Sequence, residues 1–382
     1  MTEDKLTALS SNAGVHGENL TDHLRMVHSV ISSRYPHIDR VALATYDVPT
    51  DTLKTFVSSN RDEVMLTHYE TPLSQVPSLA LLASKRQSRI IEDIAVTLTA
   101  DSTHTAWLKT QDYRSSFTLP IYRGEQLAGF LFFDSKLSHA FDADTASFLE
   151  MFAHLISQMY LLQLQVVHGM VGTVHLASGL ARLRDLETGQ HLERMASYSR
   201  LMARGLATSH GLTDEFIEYV FLFAPLHDIG KVGIPDKVLL KPGKLDADEW
   251  VIMRRHVEIG ESIIDQMDMS LGSKMANAIM RNIVSGHHER GDGSGYPRGL
   301  LMAQIPIEAR IVAVADVYDA LSNRRPYKAA WTEEAIAAEL SKEVAMGRLD
   351  KDCVDALWAA HSERSAIQVR LADPSATLPT PP

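Results

Sequence analysis

The side chains with the clearest chemical potential lie in the second half of the chain, where histidines and acidic residues form close pairs. Glu187 and His191 are four positions apart in the stretch ETGQH. On a helix both would project from one face, as two ligands of one metal ion do. A pair at this spacing also arises by chance on a solvated helix face, so a metal site needs further ligands.

His227 and Asp228 are adjacent in PLHDIGK. Neighbouring residues point about 100° apart on a helix, but Pro225 and Gly230 indicate that a helix ends here, which allows both side chains to reach one site. A carboxylate that bridges two cations, beside an imidazole that binds one of them, is a recurrent dinuclear arrangement. We therefore interpret this pair as part of a metal centre, with Asp228 as the bridge.

The remaining candidates are three histidines and one aspartate. His256 lies within MRRHVEIGE, and His287 and His288 fall at the end of a predicted helix. Asp316 lies inside the apolar run IVAVADVYDAL. A carboxylate is costly to bury unless a positive group meets it. We therefore expect Asp316 to face a metal ion, with a salt bridge to a core arginine as the alternative.

Together these residues supply five imidazoles and three carboxylates, which is too many ligands for one ion. The full set is Glu187, His191, His227, Asp228, His256, His287, His288 and Asp316. Nitrogen and oxygen ligands without thiolate favour iron, manganese or zinc. The sequence therefore predicts a site for more than one divalent ion.

Composition limits the classes of protein that fit. The chain has 382 residues, with 37 Lys and Arg against 48 Asp and Glu, and a formal net charge of −11. This acidity argues against a protein that binds nucleic acid through its phosphates. The single cysteine, Cys353, favours a reducing compartment. The first residues lack the apolar core of a secretion signal, and no run of about 18 apolar residues predicts a membrane helix. We expect a cytoplasmic protein of two domains.

Short strands and turns dominate residues 40 to 133. RVALATY leads through the turn DVPTD to a second strand, and SSFTLPIY and QLAGFLFF flank the turn RGE, so two hairpins are expected. With one amphipathic helix before them and another helix after them, they predict an α+β domain. This layout resembles a GAF sensory domain over residues 18 to 160, which implies a small-molecule ligand there. Residues 1 to 17 are expected to form a leader.

A connecting helix is expected over residues 142 to 170, past the edge of this domain. Its apolar residues recur at steps of four and three, as in a heptad seam. The seam consists of Phe148, Phe152, Leu155, Met159, Leu162 and Val166. This pattern favours a parallel coiled-coil homodimer, and the alternative is a stripe packed against the sheet of its own domain.

The pattern after Val166 is helical and predicts an all-α domain over residues 167 to 365. Helices are expected at residues 171–206, 214–226, 247–267, 274–289, 306–321 and 332–346. Asp246 with Glu249 predicts a capping box, and Pro306 suits a first helical turn. Residues 372 to 382 are rich in proline and are predicted to be disordered.

Three long motifs in this region occur in a fixed order. They are PLHDIGKVGIP, HHERGDGSGYP and IPIEARIVAVADVYDALSNRRPYKAAW. Together they resemble the HD-GYP family of cyclic di-GMP phosphodiesterases, within the HD superfamily of metal-dependent phosphohydrolases, over residues 167 to 358. The resemblance implies a C-terminal helical bundle with His227 and Asp228 as the HD ligands of an iron or manganese centre. The residues that complete this dinuclear centre would be His256, His287, His288 and Asp316.

The resemblance also implies a third ion and the substrate contacts. Glu187 and His191 match a pair that holds a third metal in some members of the family. Lys231 matches a lysine beside the substrate phosphate, so Asp228 and Lys231 are the candidate catalytic residues. The candidate substrate-binding residues are Lys231, Tyr296 of the GYP triplet, Arg325 and Lys328.

The sequence departs from the family pattern near the GYP triplet. Gly291 stands where the family usually has Trp, and Met302 and Ala303 replace a usual Gly-Glu. Neither change touches a ligand, so the chemistry should survive. The missing Trp leaves the shape of the substrate pocket open.

The function that we expect is hydrolysis of cyclic di-GMP to pGpG, with GMP as an open second product. Divalent ions activate water and stabilise phosphoryl charge in such reactions, and the GAF-like domain would regulate the hydrolase. One alternative is a hydrolase of cyclic GMP-AMP or another nucleotide. A second alternative is a module that senses cyclic di-GMP, or docks a diguanylate cyclase, without hydrolysis.

Overall fold

The computed structural model describes residues 19–61, 65–98, 103–182, 189–267, 274–323 and 330–372. The chain divides into two compact units, and the main division falls between Gln165 and Val166. The expected leader, and the expected tail beyond Ala372, lie outside the described residues. The domain boundaries drawn from the sequence stay a prediction.

The first unit contains a six-stranded sheet in the order β3-β2-β1-β6-β5-β4, in which every neighbouring pair is antiparallel. The strands are β1 (Arg40–Asp47), β2 (Thr52–Asn60), β3 (Glu70–Pro72), β4 (Arg89–Ile91), β5 (Ser115–Arg123) and β6 (Gln126–Ser135). Both hairpins predicted from the sequence, β1-β2 and β5-β6, are confirmed.

Helices cover both faces of this sheet, which explains why β6 is apolar without alternation. The helices of this unit are α1 (Leu20–Arg34), α2 (Pro77–Lys85), α3 (Ile94–Thr97) and α4 (Thr103–Thr110). Leu131 and Phe133 of β6 pack with α1, whereas Phe130 and Phe132 pack with α2 on the opposite face. The α+β architecture expected for this part of the chain is therefore confirmed.

The connecting helix is α5 (Ala143–Arg182), and its first turn is capped by Asp142, whose Oδ1 accepts the Thr145 amide at 2.8 Å. Its fully buried stripe packs against α1 and the sheet. That stripe consists of Leu149, Ala153, Ile156 and Tyr160, and lies beside the seam drawn from the sequence. On the seam, Leu155 and Leu162 are 48% and 64% exposed.

The second unit is helical, and its described residues form no strand beyond one isolated bridge between Asp292 and Leu301. Its helices are α6 (Gly189–His210), α7 (Asp214–Phe223), α8 (Asp236–Leu239), α9 (Ala247–Arg254), α10 (His256–Met267), α11 (Lys274–Gly286), α12 (Ile307–Ser322), α13 (Glu333–Ala345), α14 (Lys351–Ala359) and α15 (His361–Arg370). Helix α6 packs against α7, α12 and α14 and lies at the centre of the core. The predicted all-α architecture is confirmed.

Helix boundaries differ from the prediction at functional positions. The helix expected over residues 247–267 is broken at Arg255, so that His256 begins α10 instead of lying within a helix. The Asp246–Glu249 capping box is present, but Pro306 is the residue before α12 and not its first helical residue. Helices α14 and α15 were not predicted.

Candidate metal centre

Asp228 is the central residue of the site and lies between two 3-10 turns, Ala224–Leu226 and Ile229–Gly233. Gly230 explains how this segment comes so close to α10. A Cβ atom at Gly230 would lie 1.8 Å from the His256 carbonyl oxygen and 2.5 Å from the Gly260 nitrogen, so only glycine fits. The close approach brings Asp228 beside His256.

The two carboxylate oxygens of Asp228 face different histidines. Oδ1 lies 3.2 Å from Nε2 of His256 and 3.8 Å from Nε2 of His287. Oδ2 lies 3.1 Å from Nε2 of His227. One carboxylate therefore contacts imidazoles from three separate segments of the chain.

The ligand-type side chains form two groups, and within each group the candidate ligand atoms all lie within 4.8 Å of one another. One group consists of Asp228, His256, His287 and His288, and the other of His191, His227 and Asp316. Because His227 also contacts Asp228, the two groups adjoin. The structure thus brings together seven of the eight residues predicted as ligands, and Glu187 lies outside the described residues.

Backbone carbonyls orient three of these imidazoles. Nδ1 of His227 lies 2.9 Å from the Ala224 oxygen, and Nδ1 of His256 lies 2.8 Å from the Met253 oxygen. Nδ1 of His287 lies 3.1 Å from the oxygens of both Ile283 and Val284. A carbonyl only accepts, so each Nδ1 carries the proton and each Nε2 presents a lone pair to the site.

The residues present fit divalent metal ions. Nε2 of His256, Nε2 of His287 and Oδ1 of Asp228 are buried, and within the described residues no hydrogen bond satisfies them. Buried polar atoms are normally satisfied, and these atoms converge on one point. A set of imidazoles and carboxylates without thiolate is typical of iron, manganese or zinc sites.

The electrostatics favour the protonation state that metal binding requires. Burial raises the pKa of the Asp228 carboxyl, but the Lys231 ammonium and the His227 ring outweigh this effect and hold that pKa well below its usual range. Burial lowers the pKa of His256, and burial together with His287 lowers the pKa of His288 well below its usual range. At neutral pH the site therefore offers an ionised Asp228 carboxylate and neutral imidazoles at His256 and His288.

A carboxylate that the sequence interpretation missed orients His191. Nδ1 of His191 donates to Oδ2 of Asp319 at 2.6 Å, and Arg194 donates to the same carboxylate through Nε at 2.6 Å and through a terminal nitrogen at 3.1 Å. All three side chains are at least 94% buried. The salt bridge to a core arginine, considered for Asp316, is thus made by Asp319. The available signal was a second acid in the run IVAVADVYDAL.

Two of the predicted substrate contacts lie at the site. Nζ of Lys231 is 2.8 Å from Oδ2 of Asp228. The Tyr296 ring packs against His288, with their centroids 4.7 Å apart. Arg325 and Lys328 lie outside the described residues, so the structure does not bear on their predicted roles.

A buried glutamate fixes the loop that carries Tyr296. Oε1 of Glu289 accepts the Arg298 amide at 2.7 Å and Oε2 accepts the Leu300 amide at 2.8 Å. Glu289 is only 3% exposed and follows His288 directly. Its carboxylate therefore ties the C-terminal end of the loop to the residues that follow α11, a role that sequence reasoning did not assign.

The two departures from the family pattern contact each other. A Cβ atom at Gly291 would lie 2.3 Å from Cε of Met302 and 2.6 Å from the carbonyl oxygen of Gly347. The Met302 amide also donates to the Gly291 carbonyl at 3.1 Å. Met302 thus occupies space beside Gly291 that a larger side chain at 291 would need.

Comparison with known proteins agrees with this architecture. Residues 184–353 match the HD domain family and residues 24–159 match the GAF domain family. The chain therefore carries a GAF domain followed by an HD domain. In the described residues no helix is both long and apolar enough to cross a membrane.

Curated relatives resemble mainly the HD part. The chain is 47% identical over 185 residues to the cyclic di-GMP phosphodiesterase response regulator RpfG of Xanthomonas campestris. The aligned region covers 48% of this chain and 46% of that protein. The chain is 41% identical over 201 residues to 3'3'-cGAMP-specific phosphodiesterase 2 of Vibrio cholerae, covering 52% of this chain and 36% of that protein. The chain thus spans less than half the length of either relative.

Proposed function

We propose that this protein is a metal-dependent phosphodiesterase that hydrolyses cyclic di-GMP to pGpG. The observation that carries the proposal is the pair of adjoining ligand groups, with Asp228 in contact with both. The order of the HD and GYP motifs supports the substrate, and relatives of the HD part bear the names of cyclic di-GMP phosphodiesterases. Hydrolysis to GMP is a further step to be measured.

One ion would be held beside His256, His287 and His288 and a second beside His227 and Asp316, and Asp228 would serve both. Glu187 and His191 would hold a third ion, as the family resemblance implies. Bound divalent ions supply Lewis-acid stabilisation of the phosphate and activation of water. We propose iron or manganese as the native metal, because the nitrogen and oxygen ligands are typical of these metals and the family resemblance implies them.

The protein's own residues bind and orient the substrate. Lys231, whose ammonium lies beside the Asp228 carboxylate, would contact the scissile phosphate by a charge-assisted hydrogen bond. Tyr296 would form one wall of the nucleotide pocket, next to His288. Arg325 and Lys328 would supply further positive charge to the substrate, which this acidic chain provides only locally.

The test is metal analysis paired with turnover. Protein stripped with a chelator and reloaded with manganese or iron should convert cyclic di-GMP to pGpG, as measured by chromatography. His227→Ala and Asp228→Asn should abolish turnover and lower the bound metal, whereas Asp355→Asn, on the exposed face of α14, should not. Full turnover by both site variants would refute the assignment.

A second candidate substrate is 3'3'-cGAMP, because a relative of similar identity is named as specific for it. Both dinucleotides contain two phosphodiester bonds, so the metal centre itself does not distinguish them. Parallel measurement of kcat/KM for the two substrates assigns the preference. A ratio of about tenfold between the two kcat/KM values corresponds to about 1.4 kcal/mol of discrimination between the substrates.

We also propose a homodimer through α5. Its seam residues Leu155 and Leu162 are exposed within one chain, and apolar residues at such spacing are typical of two-stranded coiled coils. Light scattering of the full chain at micromolar concentration should give the mass of a dimer, and Leu155→Lys with Leu162→Lys should give that of a monomer. Val369→Lys, a residue 82% exposed on α15, is the matched control. A monomeric parent chain would contradict the proposal.

A small molecule bound at the GAF domain would regulate the hydrolase, and a diguanylate cyclase would be a protein partner. Both proposals rest on the family resemblance and the domain order. Deletion of residues 1–141 should change kcat of the remaining chain if the GAF domain regulates it. Unchanged kcat would argue against regulation.

A further inference from the structure

An arginine outside the predicted site lies at its rim. Arg254 is the last residue of α9, and its Cζ atom lies 5.0 Å from the centroid of the Tyr296 ring. That ring in turn lies 4.7 Å from the ring of His288 and 6.3 Å from that of His256. One aromatic ring therefore separates the Arg254 guanidinium from the candidate metal ligands.

Among the residues that the structure describes, no carboxylate neutralises the charge of Arg254. The side chain is exposed, and across the described ranges no acidic group forms an ion pair with it. Two basic side chains close to the site are paired with acids, since Lys231 pairs with Asp228 and Arg298 pairs with Glu261. In a chain with a net charge of −11, an uncompensated guanidinium beside a metal centre favours an anionic ligand.

The contact with Tyr296 places the guanidinium over the face of that ring. Stacking over an aromatic face engages the plane of the group and leaves its N–H edges available. Those edges suit the oxygens of a phosphate, which arginine binds through two parallel hydrogen bonds. The Arg254 guanidinium can therefore contact Tyr296 and bind a phosphate, on the side of that ring away from the candidate ligands, at the same time.

We propose that Arg254 binds the second, non-scissile phosphate of the cyclic dinucleotide. This inference rests on the proposed function. A cyclic dinucleotide carries two phosphodiester groups, each with one negative charge; the candidate metal centre with Lys231 would bind the scissile one, and the second would lie outside that centre. Tyr296 separates Arg254 from that centre, so the position suits a substrate that extends from the metal ions to the rim.

The experiment compares Arg254→Ala with Arg255→Ala in the metal-loaded full chain. Arg255 is the adjacent exposed arginine between α9 and α10, which makes it a matched control. Two substrates are used, cyclic di-GMP and bis(p-nitrophenyl) phosphate, because the second contains a single phosphodiester and no second phosphate. Arg254→Lys tests whether charge without the planar group restores binding.

Arg254→Ala should lower kcat/KM for cyclic di-GMP by about 10- to 100-fold, the usual effect of a lost hydrogen bond to a charged group, mainly through KM. Turnover of bis(p-nitrophenyl) phosphate should stay within about twofold of the parent value, and Arg254→Lys should recover part of the loss. Equal values for Arg254→Ala and Arg255→Ala would overturn the inference. Equal losses on both substrates would also overturn it, because they would assign Arg254 to the metal centre. If the parent chain hydrolyses only bis(p-nitrophenyl) phosphate, the proposed function fails instead.

Discussion

His191 and Asp319 form a buried hydrogen bond of 2.6 Å between Nδ1 and Oδ2, and this bond directs Nε2 of His191 toward His227 and Asp316 in the candidate metal centre. Arg194 holds the same carboxylate and donates to the Leu371 carbonyl at 2.9 Å. Burial raises the pKa of Asp319, but the hydrogen bonds from His191 and Arg194 outweigh burial and lower it. The carboxylate is therefore ionised and fixes the orientation of the imidazole.

Asp319→Asn should weaken metal binding at the His191, His227 and Asp316 group. The amide keeps the shape of the side chain but loses the charge that holds His191, and such outer partners typically contribute about 10- to 100-fold in metal affinity. Metal content after dialysis against a weak chelator should fall by about one ion per chain. Asp355→Asn serves as the control, and an unchanged metal content in Asp319→Asn would contradict the prediction.

Glu289→Gln should loosen the Tyr296 loop without removing a candidate ligand. The amide group of glutamine can accept only one of the two backbone hydrogen bonds, and a hydrogen bond to a charged group contributes about 1.5–3 kcal/mol. Limited proteolysis should cut the loop of residues 290–300 faster than in the parent chain, and KM for cyclic di-GMP should rise. Glu339→Gln, at an exposed pair with Lys342, should leave both unchanged. A cleavage rate equal to that of the parent would refute the assigned role.

Gly291→Trp should destabilise the protein, because Met302 and the Gly347 carbonyl occupy the space that its side chain needs. Overpacking of this kind typically costs about 1–3 kcal/mol. The double variant Gly291→Trp with Met302→Gly matches the family pattern at both positions and should recover part of that loss. Recovery should be incomplete, because the Gly347 carbonyl oxygen still lies too close to a Cβ atom at position 291. Urea unfolding measures both variants. Additive destabilisation in the double variant would show that the two positions are not coupled.

The GAF domain should lose stability in mild acid because two of its histidines are neutral when folded. Burial lowers the pKa of His28, and burial with the charges of Arg40 and Arg89 lowers the pKa of His104 from 6.5 to about 3. Their contribution to the free energy of unfolding is complete above about pH 6.5 and falls as the pH decreases toward the folded-state pKa. The reason is that the histidines of the unfolded chain bind protons at a higher pH than those of the folded chain.

Hydrogen exchange in the β1 and β6 peptides of the full chain measures this effect. Protection should fall between pH 7 and pH 5, and the stability lost through His104 alone at pH 5, relative to pH above about 6.5, is about 2 kcal/mol of unfolding free energy. His28→Gln, which keeps a polar group near Ser59, should reduce the pH dependence. Protection that is flat over this range would contradict the prediction.

The sequence by itself determined the kinds of ligand and the two architectures. Alternating and helical periodicities encode which residues face a core, so both hairpins and most helices of the second unit could be predicted. The adjacent pairs His227-Asp228 and His287-His288 predicted the candidate metal centre, because such pairs at helix ends are hard to explain otherwise. These features depend on neighbours along the chain.

Only the tertiary structure decided how the ligands divide and what orients them. Asp316 and Asp319 are three residues apart on α12 and therefore share a face, so spacing does not tell which one meets a metal ligand group and which one meets Arg194. That choice depends on the rotation and depth of α12 against α6. The contact of Met302 with Gly291 is likewise set by the path of the loop, since these residues lie eleven positions apart and meet only when the loop closes.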